Sequence, residues 1–174
     1  MPRASPERAI RASVARRPST LRAHLLFHCP IINRTVMART AALKAIGYDN
    51  DYPRCQDYRM HCQLVEAGHR LANLPELLVC GREHPGRITG QTAGLGRDRK
   101  LAIQGRMLGL IGIQPSHDEL CRHYALSRPT AREDDAETYL DWAESWLWRI
   151  KQANRAAGFF TEPALSRVLG AIWA

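Results

Sequence analysis

The sequence predicts a mixed α/β fold with a small, incomplete sheet, followed by a mostly α-helical extension. Three observations carry that expectation. Pro30 leads into a β-branched and apolar run, Ile31, Ile32, Thr35, Val36 and Met37, which suits a short buried strand. "HRLANLPELLVCGREH", 69 to 84, reads as two short strands split by Pro75. Beyond Gly86 the texture changes: "RITGQTAGLG" is a glycine-rich loop, and the rest follows a helical period.

A chain of 174 residues, 45% hydrophobic and 24% charged, has ordinary globular usage and is long enough for one real core. The longest strongly apolar stretch, Leu108 to Ile113, is far short of the roughly 20 residues that a membrane-spanning helix needs, so no transmembrane segment is expected. Five cysteines (Cys29, Cys55, Cys62, Cys80, Cys121) make no CxxC pair and are odd in number. That argues against a complete disulfide framework and a zinc ribbon, and for reduced thiols in a cytoplasmic setting, with a peripheral position at the membrane surface as the alternative location. The net charge of +8 is concentrated at the start, where Arg3, Arg8, Arg11, Arg16, Arg17 and Arg22 face a single acid, Glu7. Such an arm suits a solvated tail, a polyanion contact or an organellar transit peptide.

In chain order, helices are expected over 6–16 and 21–28, separated by "RRPST". A helix over 40–46 ends at Gly47, in keeping with a left-handed cap. After Pro53 a helix of about twelve residues carries Met60, Leu64 and Ala67 on one face and stops at Gly68. Helices follow at about 97–111, 116–124, 134–156 and 162–172. The longest has Tyr139, Trp142, Ala143, Trp146, Leu147 and Ile150 at helical spacing, a core stripe that leaves Trp148 aside. "TARE", 130 to 133, has capping-box spacing. The organisation expected is a basic helical segment over 1–28, a mixed unit over 29–90 and a helical extension over 91–174.

Candidate chemistry centres on "GYDNDYPRCQDYRMHCQL", 47 to 64, with Gln56-Asp57 at the junction of an acidic turn and a helix. Asp57 in the first helical turn suits the orphan N–H groups and the positive end of the dipole; an ionised carboxylate there is also able to take a proton. His61 lies one turn later and reads as a surface partner of Asp57. His84 ends a predicted strand before a Pro-Gly turn, and with Arg82 and Arg87 it forms a set suited to a pyrophosphate. Cys55, His61, Cys62 and His69 match no zinc spacing.

The order of parts in "CPIINRTVMARTAALKAIGYDNDYPRCQDYRMHCQLVEAGHRLANLPELLVCGREHPGRIT", 29 to 89, resembles the C-terminal part of the catalytic domain of family 2 glycosyltransferases. The matching parts are a Pro-led segment to Thr35-Val36-Met37, a helix ending Gly47-Tyr48-Asp49, an acidic pair before a helix, an "ANLPE" connection and a terminal His-Pro-Gly. The resemblance implies a GT-A-type fold and inverting transfer of a sugar from a nucleotide-sugar donor to a carbohydrate or lipid-linked acceptor. It makes Asp57 the general base on the acceptor hydroxyl and His84 a ligand of a divalent metal, manganese or magnesium, that holds the donor diphosphate with Arg82 and Arg87.

The chain departs from the pattern at Gln56, where a glutamate is usual, and at Cys29, Asn33, Arg34 and Gly81. The family's donor-binding half and its DxD motif would precede residue 29, and "DND" at 49 to 51 lies in the wrong place for that motif. The expectation is therefore an acceptor-side half, with the donor half supplied by a partner chain or its exposed sheet edge covered in a homodimer. The alternative is a non-catalytic basic helical module that contacts nucleic acid or an anionic surface.

Overall fold

The protein is described by a computed structural model that covers residues 17–52, 54–76, 78–79, 93–128 and 136–174. Among these residues the secondary structure is helical throughout: α1 (Pro18–His24), a 3-10 turn (Asn33–Thr35), α2 (Thr40–Ile46), α3 (Gln56–Glu66), α4 (Ala93–Gly109), α5 (His117–Leu126), α6 (Ala136–Ala157) and α7 (Ala164–Trp173). No strand occurs among them. The mixed α/β expectation, and with it the incomplete GT-A-type sheet, is thereby corrected.

The reason is visible in the run 31 to 37. Asn33-Arg34-Thr35 closes a 3-10 turn through Thr35 N to Ile32 O (2.9 Å), and the Thr35 hydroxyl donates to the same carbonyl (2.7 Å). Val36, φ −76° and ψ 130°, is extended but has no neighbouring strand, and β-propensity without a partner builds nothing. The stretch 69–76 likewise has no strand, and 80–84 lies outside the described residues.

The helices follow local rules. α1 starts at Pro18, whose missing N–H is harmless in the first turn, so the proline opens the helix that it was expected to precede. α2 ends at Gly47 as expected, but at φ +69° and ψ 179° the glycine lies outside the left-handed helical well expected for the cap, in a region essentially confined to glycine. α3 ends in a Schellman pattern, His69 N to Leu64 O (2.9 Å) and Gly68 N to Val65 O (3.1 Å), with Gly68 at φ +83°. α5 is opened by a capping box: Glu119 N donates to Ser116 Oγ (3.2 Å), and Ser116 N donates to Glu119 Oε2 (2.8 Å). The expected box at 130–133 and the expected helix at 6–16 lie outside the described residues.

One apolar cluster joins α1, α3, α4, α5, α6 and α7, and Leu21, Leu25, Leu26, Phe27, Met107, Leu108, Ile150 and Leu165 within it have no exposed surface. Its pivot is the turn that ends α1. The carbonyls of Leu25, Leu26 and Phe27, just past the helix, have no backbone donors among the described residues, and side chains from other elements meet them. Tyr58 of α3 donates its hydroxyl to Leu25 O (2.6 Å), and Ser127, just after α5, donates to Phe27 O (3.2 Å), as does the Gln104 amide of α4. His123 of α5 lies 2.9 Å from Leu26 O through Nε2, while its Nδ1 lies 2.9 Å from Trp146 Nε1 of α6. The indole N–H can only donate, so Nδ1 accepts and Nε2–H donates, which fixes the neutral tautomer. Burial pushes the His123 pKa down to about 4, in keeping with that state.

The α6 stripe faces this core as its spacing implies, with Tyr139, Ala143, Trp146, Leu147 and Ile150 buried and Trp148 half exposed. At its end Asn154 clasps the backbone of Phe160 in both directions, each bond 2.8 Å, and so turns the chain into α7. None of the described helices is long and apolar enough to cross a membrane.

Candidate functional site at the start of α3

α3 enters through a strained residue. Cys55 takes φ +62° and ψ 21°, a left-handed conformation that costs a branched or unbranched L side chain roughly 1–2 kcal/mol, and its thiol reaches Gly96 O of α4 (3.7 Å). The loop before it is tied down as well. Asp51 N donates to Asp49 Oδ1 (3.0 Å), and Asp49 Oδ2 lies 3.6 Å from Arg59 Nε. Arg59 is buried and also faces Glu66 (3.6 Å), which in turn takes a forked pair of bonds from Arg106 of α4. This chain of charges sets the first turn of α3 against α4. It also gives "DND" a structural role as a turn.

Asp57 stands in that first turn, half-buried. Its Oδ1 accepts the Tyr58 N–H (2.8 Å), which satisfies one orphan donor of the helix start. Oδ2 has no hydrogen-bond partner among the described residues. One oxygen is therefore held and the other is open, so capping leaves a proton-accepting position.

One turn on, His61 is buried, contrary to the expected surface pair. Its Nδ1 lies 3.4 Å from Cys29 Sγ, and that thiol also faces Ile31 O (3.4 Å). If the single S–H proton goes to Ile31 O, Nδ1–H donates to sulfur and Nε2, buried and with no partner among the described residues, carries no proton. Burial lowers the His61 pKa against the opposing pull of Asp57. Burial pushes the Cys29 thiol up to about 12, so at neutral pH it is protonated and a poor nucleophile. The pair resembles a thiol–imidazole dyad in distance alone; its electrostatics make it structural.

The signal for this contact was present in the sequence. Tyr58, His61, Cys62 and Val65 share one face at spacings of three and four, and all four are buried, whereas the expected stripe of Met60, Leu64 and Ala67 holds only for its first two members. Cys29 has no comparable signal, because it reaches His61 across 32 positions.

Arg82, His84 and Arg87, the expected diphosphate and metal contacts, lie outside the described residues. Among the described residues no three His, Cys, Asp or Glu side chains converge as a metal site. Of the arginine arm expected to meet a polyanion, Arg3, Arg8, Arg11 and Arg16 lie outside the described residues, and Arg22 lies over the Phe159 ring (3.8 Å).

Comparison with known protein families, curated proteins and solved structures finds no match to this chain. With a helical architecture and no matching family, the resemblance to family 2 glycosyltransferases is not upheld.

Proposed function

We propose that the chain acts in transfer of a sugar from a nucleotide-sugar donor to an acceptor hydroxyl, and that it supplies the acceptor-side step. The proposal rests on one observation, the Asp57 carboxylate with one oxygen held by the backbone and the other open, and it takes nothing from a GT-A architecture. In the step, the acceptor hydroxyl gives its proton to Asp57 as its oxygen bonds to the anomeric carbon. The bond from that carbon to the diphosphate breaks, the nucleotide leaves with the electron pair, and the configuration inverts. A single base in line with the anomeric carbon is sufficient. The neutral, partly buried Cys29–His61 pair beside it holds the helix start and takes no part in the chemistry.

On this reading Arg82, Arg87 and His84, with a divalent metal, belong to the donor side, and no step is derived through them. The setting proposed is cytoplasmic. The alternative binding-module reading rests on the arginine arm, of which only Arg17 and Arg22 lie among the described residues, and Arg22 is stacked on Phe159.

The test is release of UDP or GDP from their sugar conjugates by the purified chain, with and without manganese, beside the Asp57→Asn variant. Activity that disappears in Asp57→Asn at unchanged melting temperature is the expected result. Turnover retained by that variant, or no nucleotide released under any condition, overturns the proposal.

A further inference from the structure

Residues 29 to 79 hold most of the exposed large apolar side chains among the described residues: Ile32, Val36, Met37, Tyr48, Leu74, Leu78 and Val79, with Met37 98% exposed. The two segments run together where the Asn73 amide donates to Pro30 O (3.3 Å), and Ile31 and Leu71 anchor them to the core. Such a patch marks an interaction surface. What it lacks is a partner, and three properties say which kind.

The first is backbone. Val36 and Arg39 are extended, at φ −76°, ψ 130° and φ −64°, ψ 125°. Among the described residues no backbone hydrogen bond uses the N–H of Met37, Ala38 or Arg39, or the C=O of Val36, Met37 or Ala38. A row of open donors and acceptors is a template for another strand, and it disfavours hydrocarbon, where every unpaired peptide group is costly. The second is charge. Arg34, Arg39 and Lys44 are exposed and no acid occurs from Ile31 to Tyr48, while the 70–79 segment adds Arg70 and one exposed acid, Glu76. Two copies of this face would set like charges against each other. The third is aromatic content: 30–39 and 70–79 hold no aromatic residue, and the one exposed ring of the region, Tyr48, is too little for a run of stacked bases.

We infer that Val36–Arg39, with Arg34 and Lys44 close to it in sequence, is a docking edge for an extended segment of another protein in which apolar residues alternate with Asp or Glu. The segment adds a strand through its backbone, seats its apolar side chains on Val36 and Met37, and presents its carboxylates to Arg34, Arg39 and Lys44. The inference does not depend on the transfer reaction, since it uses none of the residues around Asp57.

The probe is a short, capped, fluorescent peptide of alternating valine and glutamate, titrated into the full chain and read by anisotropy, with the valine–lysine peptide as control. Arg39→Pro is compatible with the φ of −64° and removes one edge N–H together with a charge; Arg39→Gln removes the charge alone. The expected result is saturable binding of the glutamate peptide, at least about tenfold tighter than the lysine peptide. Arg39→Pro, with an unchanged helical circular dichroism spectrum, loses more affinity than Arg39→Gln. Equal binding of the two peptides, no binding, or equal effects of the two variants overturns the inference. So does tighter binding of anionic vesicles or an oligonucleotide, or a dimer in sedimentation whose formation the peptide blocks.

Discussion

The turn that closes α1 and the segment that follows it, 25–28 and 29–39, are adjacent in sequence and similarly apolar, yet they have opposite fates. Leu25, Leu26 and Phe27 are fully buried and their carbonyls are met by Tyr58, His123, Gln104 and Ser127. Ile32, Val36 and Met37 are exposed, and the backbone of 37–39 finds no backbone partner among the described residues. Apolar content alone therefore does not decide burial. What separates the two is whether distant side chains arrive to satisfy the peptide groups, because a buried unpaired carbonyl or N–H costs more than the apolar contact around it returns.

Substitutions that remove a donor from the first region should cost far more than any in the second. His123→Ala breaks contacts with Leu26 O and with Trp146, and empties the stack on Phe27, whose ring centroid lies 4.8 Å away. A loss of about 4 kcal/mol is expected in urea denaturation. A loss under about 1 kcal/mol would remove His123 from the centre of the fold.

Acid should act through the same residue. The folded pKa of His123 is about 4, below its unfolded value of about 6.5, so the unfolded state binds the proton more readily between those values. Stability is full above pH 6.5 and falls progressively as the pH drops towards 4, by on the order of 3 kcal/mol, and His28, also pushed down to about 4 by burial, adds to the fall. Denaturation midpoints measured across that window check it, and a flat profile would contradict the neutral buried tautomer.

A smaller effect is expected for Tyr58→Phe, which leaves Leu25 O without its hydroxyl donor and should cost about 1–2 kcal/mol. The smallest belongs to the second region: Met37→Ser should shift stability by less than about 0.5 kcal/mol, since the side chain is 98% exposed. A larger loss there would mean that the exposed segment is packed in solution and would merge the two regions.

Helix boundaries were readable because caps and periodicity are local. Gly47, Gly68 and the Tyr139–Ile150 stripe each carry their own signal. The strands were misread because Ile31, Ile32, Val36 and Met37 have the composition of a strand, whereas a strand exists only through a partner that composition does not report. The hub was invisible for a related reason. His123, Gln104 and Tyr58 reach the α1 turn across 97, 77 and 33 positions, and no local pattern marks such contacts. Asp57 lay between: its first-turn position was legible and its capping bond followed, but the burial of His61 beside it came from Cys29, on another segment.

Hydrogen exchange of the isolated full chain tests the division most directly. The account predicts that the amides of Met37, Ala38 and Arg39 exchange at close to their unprotected rates, while those of Leu108, Trp146 and Ile150, deep in α4 and α6, exchange only with global unfolding. Protection of 37–39 comparable to that of α6 would contradict it, because the segment would then already be paired and a helical fold with an open edge would be wrong.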